Sequence, residues 1–388
     1  MSLLISIIAL GFIIFFHELG HFLLAKRMGV GVVEFALGMG PRLISRVYGK
    51  TRYSLRALPF GGSCMMVGEE SEENGHFEEE DREDADAALS KREQTALSRG
   101  EGYLLDGRFY RTEESFLSKA AWKRFLIIAA GPVFNFILAL FLSIIITQQV
   151  GYDRPVVLSA EAGMPAAESG ISAGDTILSI NGEKVTVYRD IQLFLLANQR
   201  EMQNGMPVTL RYRTSGGEER TAAIQPVFAD DTQSYRMGLT FNGAYSPAES
   251  WQEVLRYGAY NVEFCIKSTV KSLEMLVSGK VHRDDLMGPV RMVATMDSTV
   301  ETASQYGLWT TVMSLFDLII LISASLGAMN LLPFPALDGG QLVFIVIEMI
   351  SGRPVPRELV ARINMAGMLL LLMLMVFVLF NDITFILK

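Results

Sequence analysis

Two histidines and a glutamate lie inside a long apolar segment close to the start of the chain. The segment reads IIFFHELGHFLLAKR over residues 13–27 and places His17, Glu18 and His21 where a membrane-spanning helix is expected. An acidic or basic side chain near the centre of a bilayer costs about 2.5–3.5 kcal/mol, so such residues are rare and usually functional. A fold for this chain therefore has to give these three groups a shared partner away from water.

Four apolar segments approach the roughly 20 residues that a spanning helix requires. They run from about residue 3 to 25, 125 to 146, 308 to 332 and 363 to 380. The chain has a mean hydropathy of +0.30, yet 20% of its 388 residues are charged. A few spans joined by aqueous parts satisfy both values. We therefore predict a multi-pass α-helical membrane protein with four transmembrane helices, within residues 1–28, 119–150, 307–350 and 351–388.

The distribution of basic residues predicts the side of the membrane on which each connection lies. Basic residues cluster at both ends of the first connection and within the last one: Lys26, Arg27, Lys119, Lys123, Arg124, Arg353, Arg357 and Arg362. By the positive-inside rule both connections are cytoplasmic, which puts the two termini and residues 151–306 outside. The first segment does not fit a cleaved signal peptide, because its basic pair follows the apolar run instead of preceding it.

The connections differ in composition. Residues 29–68 are punctuated by glycine and contain strand-like runs. Residues 69–118 form a predicted acidic cytoplasmic segment, whose charge run indicates a solvated face that could serve as a regulator or a linker. Residues 151–245 alternate apolar and polar residues around an Asn-Gly turn, which predicts an α+β domain. Residues 246–306 predict amphipathic helices suited to a membrane surface.

Charge and cysteine content exclude two classes of function. The net charge is −8 and no basic stripe is present, which argues against binding to nucleic acid. Cys64 and Cys265 lie far apart without CxxC spacing, so neither a disulfide scaffold nor a thiolate zinc site is indicated.

The HELGH sequence has the spacing of a zinc-binding helix. Residues four apart project from nearly the same face of a helix, so His17 and His21 can bind one ion together. In this HExxH pattern the two imidazoles bind Zn²⁺ and the glutamate, here Glu18, deprotonates the attacking water. The alternative is a pair of buried histidines bonded to neighbouring carbonyls. The position inside an apolar span, with an acid between the histidines, favours the metal site.

A third metal ligand is expected elsewhere in the membrane. His76 lies in the acidic tract and His282 in the outer segment, and neither is placed to reach the ion. NLLPFPALDGG, residues 330–340, offers Asp338 just after two prolines that interrupt the helix. Broken helices at membrane depth usually line a cavity. The alternative for Asp338 is to cap the short helix that follows.

These motifs occur in an order that resembles one known family. HELGH in the first span, GPVFN (131–135) in the second and NLLPFPALDGG in the third are similar to the site-2 protease family of intramembrane zinc metalloproteases, and most closely to its bacterial regulator-of-sigma-E type. Further likeness lies in VVEFALGMGP, LPFGG, MGPV (287–290) and a late Asn-Asp pair, so the resemblance covers nearly the whole chain.

The resemblance implies roles for individual residues. His17, His21 and Asp338 look like the zinc ligands, and Glu18 looks like the catalytic base. Four positions are implied to contact the substrate or to lie beside the site: Asn330, Asn135, Gly61 and Gly62. Residues 29–68 resemble a membrane-associated β-element that pairs with an extended substrate by strand addition, and residues 151–245 an extracytoplasmic PDZ domain.

The implied function is an intramembrane zinc endopeptidase of the bacterial cell (inner) membrane, with its active site toward the cytoplasmic side. The implied partners are the lipid bilayer, a peptide ligand of the PDZ domain, and single-pass transmembrane substrates such as pre-trimmed anti-sigma factors or signal-peptide remnants. One alternative is a membrane-anchored PDZ scaffold with an inert metal site, against which the complete set of four polar residues argues. A transporter is the other alternative, and the lack of paired inverted repeats argues against it.

Overall fold

The computed structural model describes residues 2–69, 90–229, 234–241, 245–280 and 288–386. Residues 70–89, which include most of the acidic run and His76, lie outside the described residues. So do residues 281–287, which include His282 and belong to the segment predicted to form amphipathic helices. The chain forms two compact units, one of Met1–Ala139 with Arg283–Lys388 and the other of Leu140–His282.

The first unit begins with the HELGH helix and a long hairpin. Its first elements are α1 (Ser2–Arg27), β1 (Val32–Tyr48), β2 (Thr51–Met66), α2 (Lys91–Ser98), β3 (Gly102–Leu105), β4 (Arg108–Arg111) and α3 (Ala121–Gln149). The third of these helices carries the GPVFN motif and crosses into the second unit at its carboxyl end.

The long hairpin folds back on itself. Residues 34–37 of β1 pair on one side with 52–55 and on the other with 62–65, all antiparallel. The first part of β1 is therefore a central strand, and 62–66 is an outer strand that packs along α1. Glycines in the left-handed region, including Gly38 with φ +88°, allow the sharp changes of direction.

Residues 90–118 belong to the same body as this hairpin, which differs from the predicted boundary of the acidic segment. The backbone N–H of Gly31 donates to the carbonyl of Glu114 (2.8 Å), and that of Phe116 donates to the carbonyl of Val67 (2.7 Å). A buried carboxylate, Asp106, pairs with Arg52 at 2.7 Å. These bonds join segments far apart in sequence, which acidic composition alone does not reveal.

The second unit is an α+β fold. Its elements are β5 (Val157–Ala160), α4 (Pro165–Glu168), β6 (Thr176–Ile180), β7 (Glu183–Lys184), α5 (Tyr188–Ala197), α6 (Gln199–Gln203), β8 (Val208–Arg213), β9 (Glu219–Ile224), β10 (Val227–Ala229), β11 (Ser234–Arg236), β12 (Leu239–Phe241) and α7 (Trp251–Val277). Four strands form an antiparallel sheet in the order β7-β6-β8-β9, and β12 pairs with β5. The predicted Asn-Gly turn joins β6 to β7, with Asn181 at φ +47°.

A buried acid ties α5 to the long helix of this unit. Asp190 accepts hydrogen bonds from the Tyr260 hydroxyl (2.9 Å) and from the backbone N–H of Thr186 (2.8 Å). Its side chain is almost fully buried, so each of these donors offsets the cost of removing the carboxylate from water. On the opposite face of the helix, Trp251 and Leu255 are exposed, as an amphipathic helix requires.

The first unit is completed by four helices: α8 (Pro289–Ser304), α9 (Leu308–Asn330), α10 (Asp338–Ser351) and α11 (Arg357–Ile386). Asp382, near the end of α11, accepts hydrogen bonds from the backbone N–H groups of Gly288 (2.9 Å) and Arg291 (3.1 Å) and so caps the start of α8.

Four of the described helices are long and apolar enough to cross a membrane: Ile5–Arg27, Ala121–Gln149, Leu308–Asn330 and Arg357–Thr384. They coincide with the four apolar segments of the sequence. Only 6% of the most apolar 18 residues of the last helix are buried within the chain.

Candidate metal centre

The first helix brings its two histidines together. Nε2 of His17 lies 3.3 Å from Nε2 of His21, and both side chains are buried. The spacing of four residues produces this, because Cβ atoms four apart stand above one another on one helix face. Two ring nitrogens aimed at one point form the first half of a ligand set.

The third candidate ligand reaches this point through a helix break. Pro333 and Pro335 lack the N–H that a continuous helix needs, and α9 ends at Asn330. Ala336 then takes a left-handed conformation (φ +69°), and α10 begins at Asp338. The break thus turns the start of a new helix toward α1.

The Asp338 carboxylate meets both imidazoles. Oδ2 of Asp338 lies 3.2 Å from Nε2 of His17 and 3.5 Å from Nε2 of His21. It is buried and accepts no hydrogen bond from the part of the chain that the structure describes. A buried carboxylate oxygen without a hydrogen-bond donor requires an explanation, and a cation supplies one.

The three ligand atoms have the spacing that zinc requires. Bonds of about 2.0–2.2 Å in a tetrahedral site place neighbouring ligand atoms about 3.3–3.5 Å apart. The three measured separations run from 3.2 to 3.5 Å. Two imidazoles with one carboxylate also form a donor set of catalytic zinc sites, in which a fourth position stays open. The residues of this centre therefore fit a zinc ion.

The far side of each imidazole faces α3. Nδ1 of His21 donates to the carbonyl of Ile127 (2.9 Å), and Nδ1 of His17 lies 3.1 Å from Nδ2 of Asn135. Gly131 lies between them. A Cβ at Gly131 would overlap Nε2 of His21 and come within 2.8 Å of Cε1 of His17, so only glycine leaves room for both rings.

Glu18 lies beside this centre, next to the outer strand of the hairpin. Its carboxylate has His17, His21 and Asp338 as neighbours and accepts a hydrogen bond from the backbone N–H of Cys64. A Cβ at Gly62 would approach Cγ of Glu18 to 2.9 Å. The glycine therefore lets the strand backbone pass close to the carboxylate.

Comparison with known proteins identifies the family. The family model described as peptidase family M50 matches residues 5–374. The chain belongs to peptidase family M50. It is 32% identical to the regulator of sigma-W protease RasP of Bacillus subtilis, over 97% of each chain. The zinc metalloprotease RasP of Geobacillus kaustophilus is 31% identical, over 98% of this chain and 97% of the relative.

Peptidase family M50 is the site-2 protease family, so the match confirms the predicted resemblance and the predicted class of enzyme, a zinc metalloprotease. The relatives named zinc metalloproteases agree with the predicted cofactor, Zn²⁺. Among solved structures, the PDZ domain of an SdrC-like protein of Listeria monocytogenes is similar, with 25% identity, 24% of this chain and 92% of that chain covered, and a TM-score of 0.21.

The four remaining predicted positions of this M50 peptidase occupy different surroundings. Nδ2 of Asn330 lies 3.4 Å from Nε2 of His17, and its side chain is partly buried. Gly62 begins the outer strand, and Gly61 directly precedes it with φ +85°. Asn135, predicted to contact substrate, is fully buried, and its Nδ2 lies 3.1 Å from Nδ1 of His17.

The sequence did not predict two contacts around the site of this M50 peptidase, the hydrogen bond to the carbonyl of Ile127 and an ion pair of Arg124. The carbonyl of Ile127 has no side-chain signature, so nothing in the sequence points to it. Arg124 pairs with Glu348 in the partly buried region between α3 and α10, and so connects the GPVFN helix with the helix that begins at Asp338. A basic residue at the start of one span and an acid ten residues after Asp338 were the available signal.

Proposed function

We propose that this M50 peptidase is an intramembrane zinc endopeptidase that hydrolyses peptide bonds within single-pass transmembrane substrates. The observation that carries the proposal is the convergence of His17, His21 and Asp338 on one point with the atom spacing of a tetrahedral zinc site. The site lies between helices of spanning length, so peptide bonds within the bilayer are the ones that it can reach.

His17, His21 and Asp338 would hold the zinc ion. When bound, zinc polarises the scissile carbonyl and makes water a stronger nucleophile. Glu18 accepts the proton of the attacking water on its carboxylate and delivers it to the amine that leaves. The N–H of Cys64 fixes the orientation of that carboxylate. The amide of Asn330, next to His17, donates to the backbone of the substrate.

A helical substrate must unwind before its carbonyl can be attacked. Unwinding in a bilayer exposes N–H and C=O groups that cost several kcal/mol each if they stay unpaired. Residues 62–66 pair with β1 along one edge, and no other described strand pairs with their other edge. An extended substrate that adds to this edge regains its backbone hydrogen bonds beside Glu18.

The positions of the basic residues favour a centre toward the cytoplasmic side of the bacterial inner membrane, with both termini outside. The unit that contains residues 151–245 would then be an extracytoplasmic PDZ domain. Its antiparallel sheet and the helix α5 support this assignment. Such a domain binds peptide ends, so it would dock substrates or exclude those with a large outer domain.

The substrate class follows from the geometry and from one relative. A single-pass protein with a short outer segment can enter between spanning helices, whereas a large outer domain hinders entry. Pre-trimmed anti-sigma factors and signal-peptide remnants meet this condition. The Bacillus subtilis relative is named a regulator of sigma-W protease, which supports the first of these classes.

The test uses purified full-length protein in proteoliposomes with a tagged single-span substrate that lacks most of its outer domain. The wild type should release a shortened product, and Glu18→Gln should not, although both hold equal zinc. Glu249→Gln, which changes an exposed acid outside the centre, is the matched control and should cleave normally. Cleavage by Glu18→Gln, or no cleavage by zinc-loaded wild type, would overturn the proposal in favour of an inert scaffold.

A further inference from the structure

One face of α3 packs against the histidines of α1. Ile127, Gly131 and Asn135 are spaced four residues apart on α3, so they lie on one side of that helix. Ile127 accepts a hydrogen bond from His21, Gly131 lies under both rings, and Asn135 contacts His17. His17 and His21 are four residues apart on α1, and the residues of α3 that contact them are also four residues apart.

An imidazole that binds a metal through Nε2 carries its proton on Nδ1, and that N–H needs an acceptor. For His21 the acceptor is the carbonyl of Ile127, at 2.9 Å. For His17 the polar group at Nδ1 is the amide of Asn135, at 3.1 Å. The oxygen and nitrogen of an amide occupy nearly equal positions, so the same residue can turn its oxygen to His17.

The surroundings of Asn135 hold it in place. Its side chain is fully buried, and Oδ1 accepts no hydrogen bond from any described residue. Its backbone carbonyl accepts a hydrogen bond from the Ser323 hydroxyl of α9 at 2.9 Å. Three spanning helices therefore meet at this residue. An amide oxygen without a donor in such a place indicates a function beyond packing.

We infer that Asn135 is a positioning residue for His17: its side-chain oxygen accepts the Nδ1 proton and so directs the Nε2 lone pair at the metal. The inference rests on the proposed zinc function and adds to it the residue that sets the tautomer and the ring orientation of one ligand. Asn135 acts only through His17, because burial keeps it from substrate and from water.

The experiment measures the affinity of full-length purified protein for Co²⁺, by competition with a chelator, together with the visible spectrum of bound Co²⁺, which reports its coordination. Asn135→Leu keeps the size of the side chain and removes the acceptor. Asn135→Asp keeps an oxygen acceptor. Ser323→Ala removes the hydrogen bond to the backbone of Asn135 and leaves its side chain in place.

Asn135→Leu should bind Co²⁺ about 10–100-fold more weakly than wild type, with an altered spectrum, since loss of an outer partner of a ligating histidine has that effect. Asn135→Asp and Ser323→Ala should stay within about threefold of wild type. Equal affinity for Asn135→Leu and wild type would overturn the inference, as would equal weakening by Leu and Asp. Absence of Co²⁺ binding by wild type would instead contradict the zinc function itself. Circular dichroism and gel filtration confirm that each variant is folded.

Discussion

Oδ2 of Asp338 lies 3.2 Å from Nε2 of His17, although the two residues belong to helices at opposite ends of the chain. Neither helix can form the centre alone. The position of the carboxylate is set by the break before α10. The position of the imidazole is set by the packing of α1 against α3. The predictions below separate these contributions.

Replacement of the third ligand should remove the metal. Asp338→Asn keeps the shape of the side chain but loses the negative charge. We expect the affinity for zinc to fall by at least about 100-fold, which is more than for the loss of Asn135 beside His17. Zinc per protein after dialysis against a chelator measures this. Asp317→Asn, an acid in the preceding helix, is the control and should retain zinc. Full occupancy in Asp338→Asn would mean that another residue provides the third ligand.

A methyl group against the two imidazoles should be as damaging as the loss of a ligand. In Gly131→Ala the new Cβ overlaps Nε2 of His21, so at least one ring has to rotate away from the centre. We expect zinc occupancy and proteolysis to be lost together while the protein remains folded. Val133→Ala, an exposed position on the same helix, tests the effect of a substitution in α3 alone and should change neither. Wild-type zinc binding by Gly131→Ala would contradict this packing.

Gly62→Ala should separate catalysis from metal binding. The added Cβ comes within 2.9 Å of Cγ of Glu18, which moves the carboxylate without touching the ligands. Since a displacement of about 1 Å can cost 100-fold in rate, kcat should fall by about that factor at unchanged zinc content. Steady-state cleavage of the single-span substrate measures it. The neighbouring Ser63→Ala should retain activity, and a parallel loss in that variant would show that the strand as a whole is sensitive.

The hairpin should lose stability in acid through Glu34. Burial raises the pKa of this carboxyl, but the hydrogen bonds and positive charges of Arg42 and Arg56 outweigh that effect and lower the pKa to about 2. A lowered folded-state pKa contributes stability above the unfolded value of 4.5, and this contribution is lost as the pH falls from there to about 2.

At neutral pH this contribution is on the order of 3 kcal/mol. Glu34→Gln should therefore unfold more easily than wild type at pH 7, and the difference in the free energy of unfolding should shrink between pH 4.5 and pH 2. Denaturant titrations of both proteins in detergent measure it. Glu249→Gln, an exposed acid, should follow the wild type. A difference that is independent of pH would show that the two arginines do not hold the carboxylate in its charged form.

The sequence predicted those parts of the molecule that depend on local rules. The spacing of His17 and His21 produces a shared helix face, and two prolines produce the break before Asp338, so the three residues that converge could be named in advance. The four apolar helices followed from segment length in the same way.

What the sequence could not predict depends on contacts across the fold. The carbonyl of Ile127 is chemically like every other carbonyl, and only packing of α1 against α3 selects it. Asn135 was assigned to substrate because its motif lies beside the site, whereas its side chain faces the back of His17. The hairpin β3–β4 was assigned to an acidic segment, because the ion pair of Asp106 with Arg52 exists only after the chain has folded.

The division of the ligands between α1 and α10 has a consequence during synthesis. The ribosome has to complete most of the polypeptide before Asp338 appears, and the later segment has to enter the bilayer before it can meet the histidines. A nascent or truncated chain that ends before Asp338 therefore carries only two of the three candidate ligands. On the proposed zinc site, proteolytic competence would arise only when the protein is nearly complete.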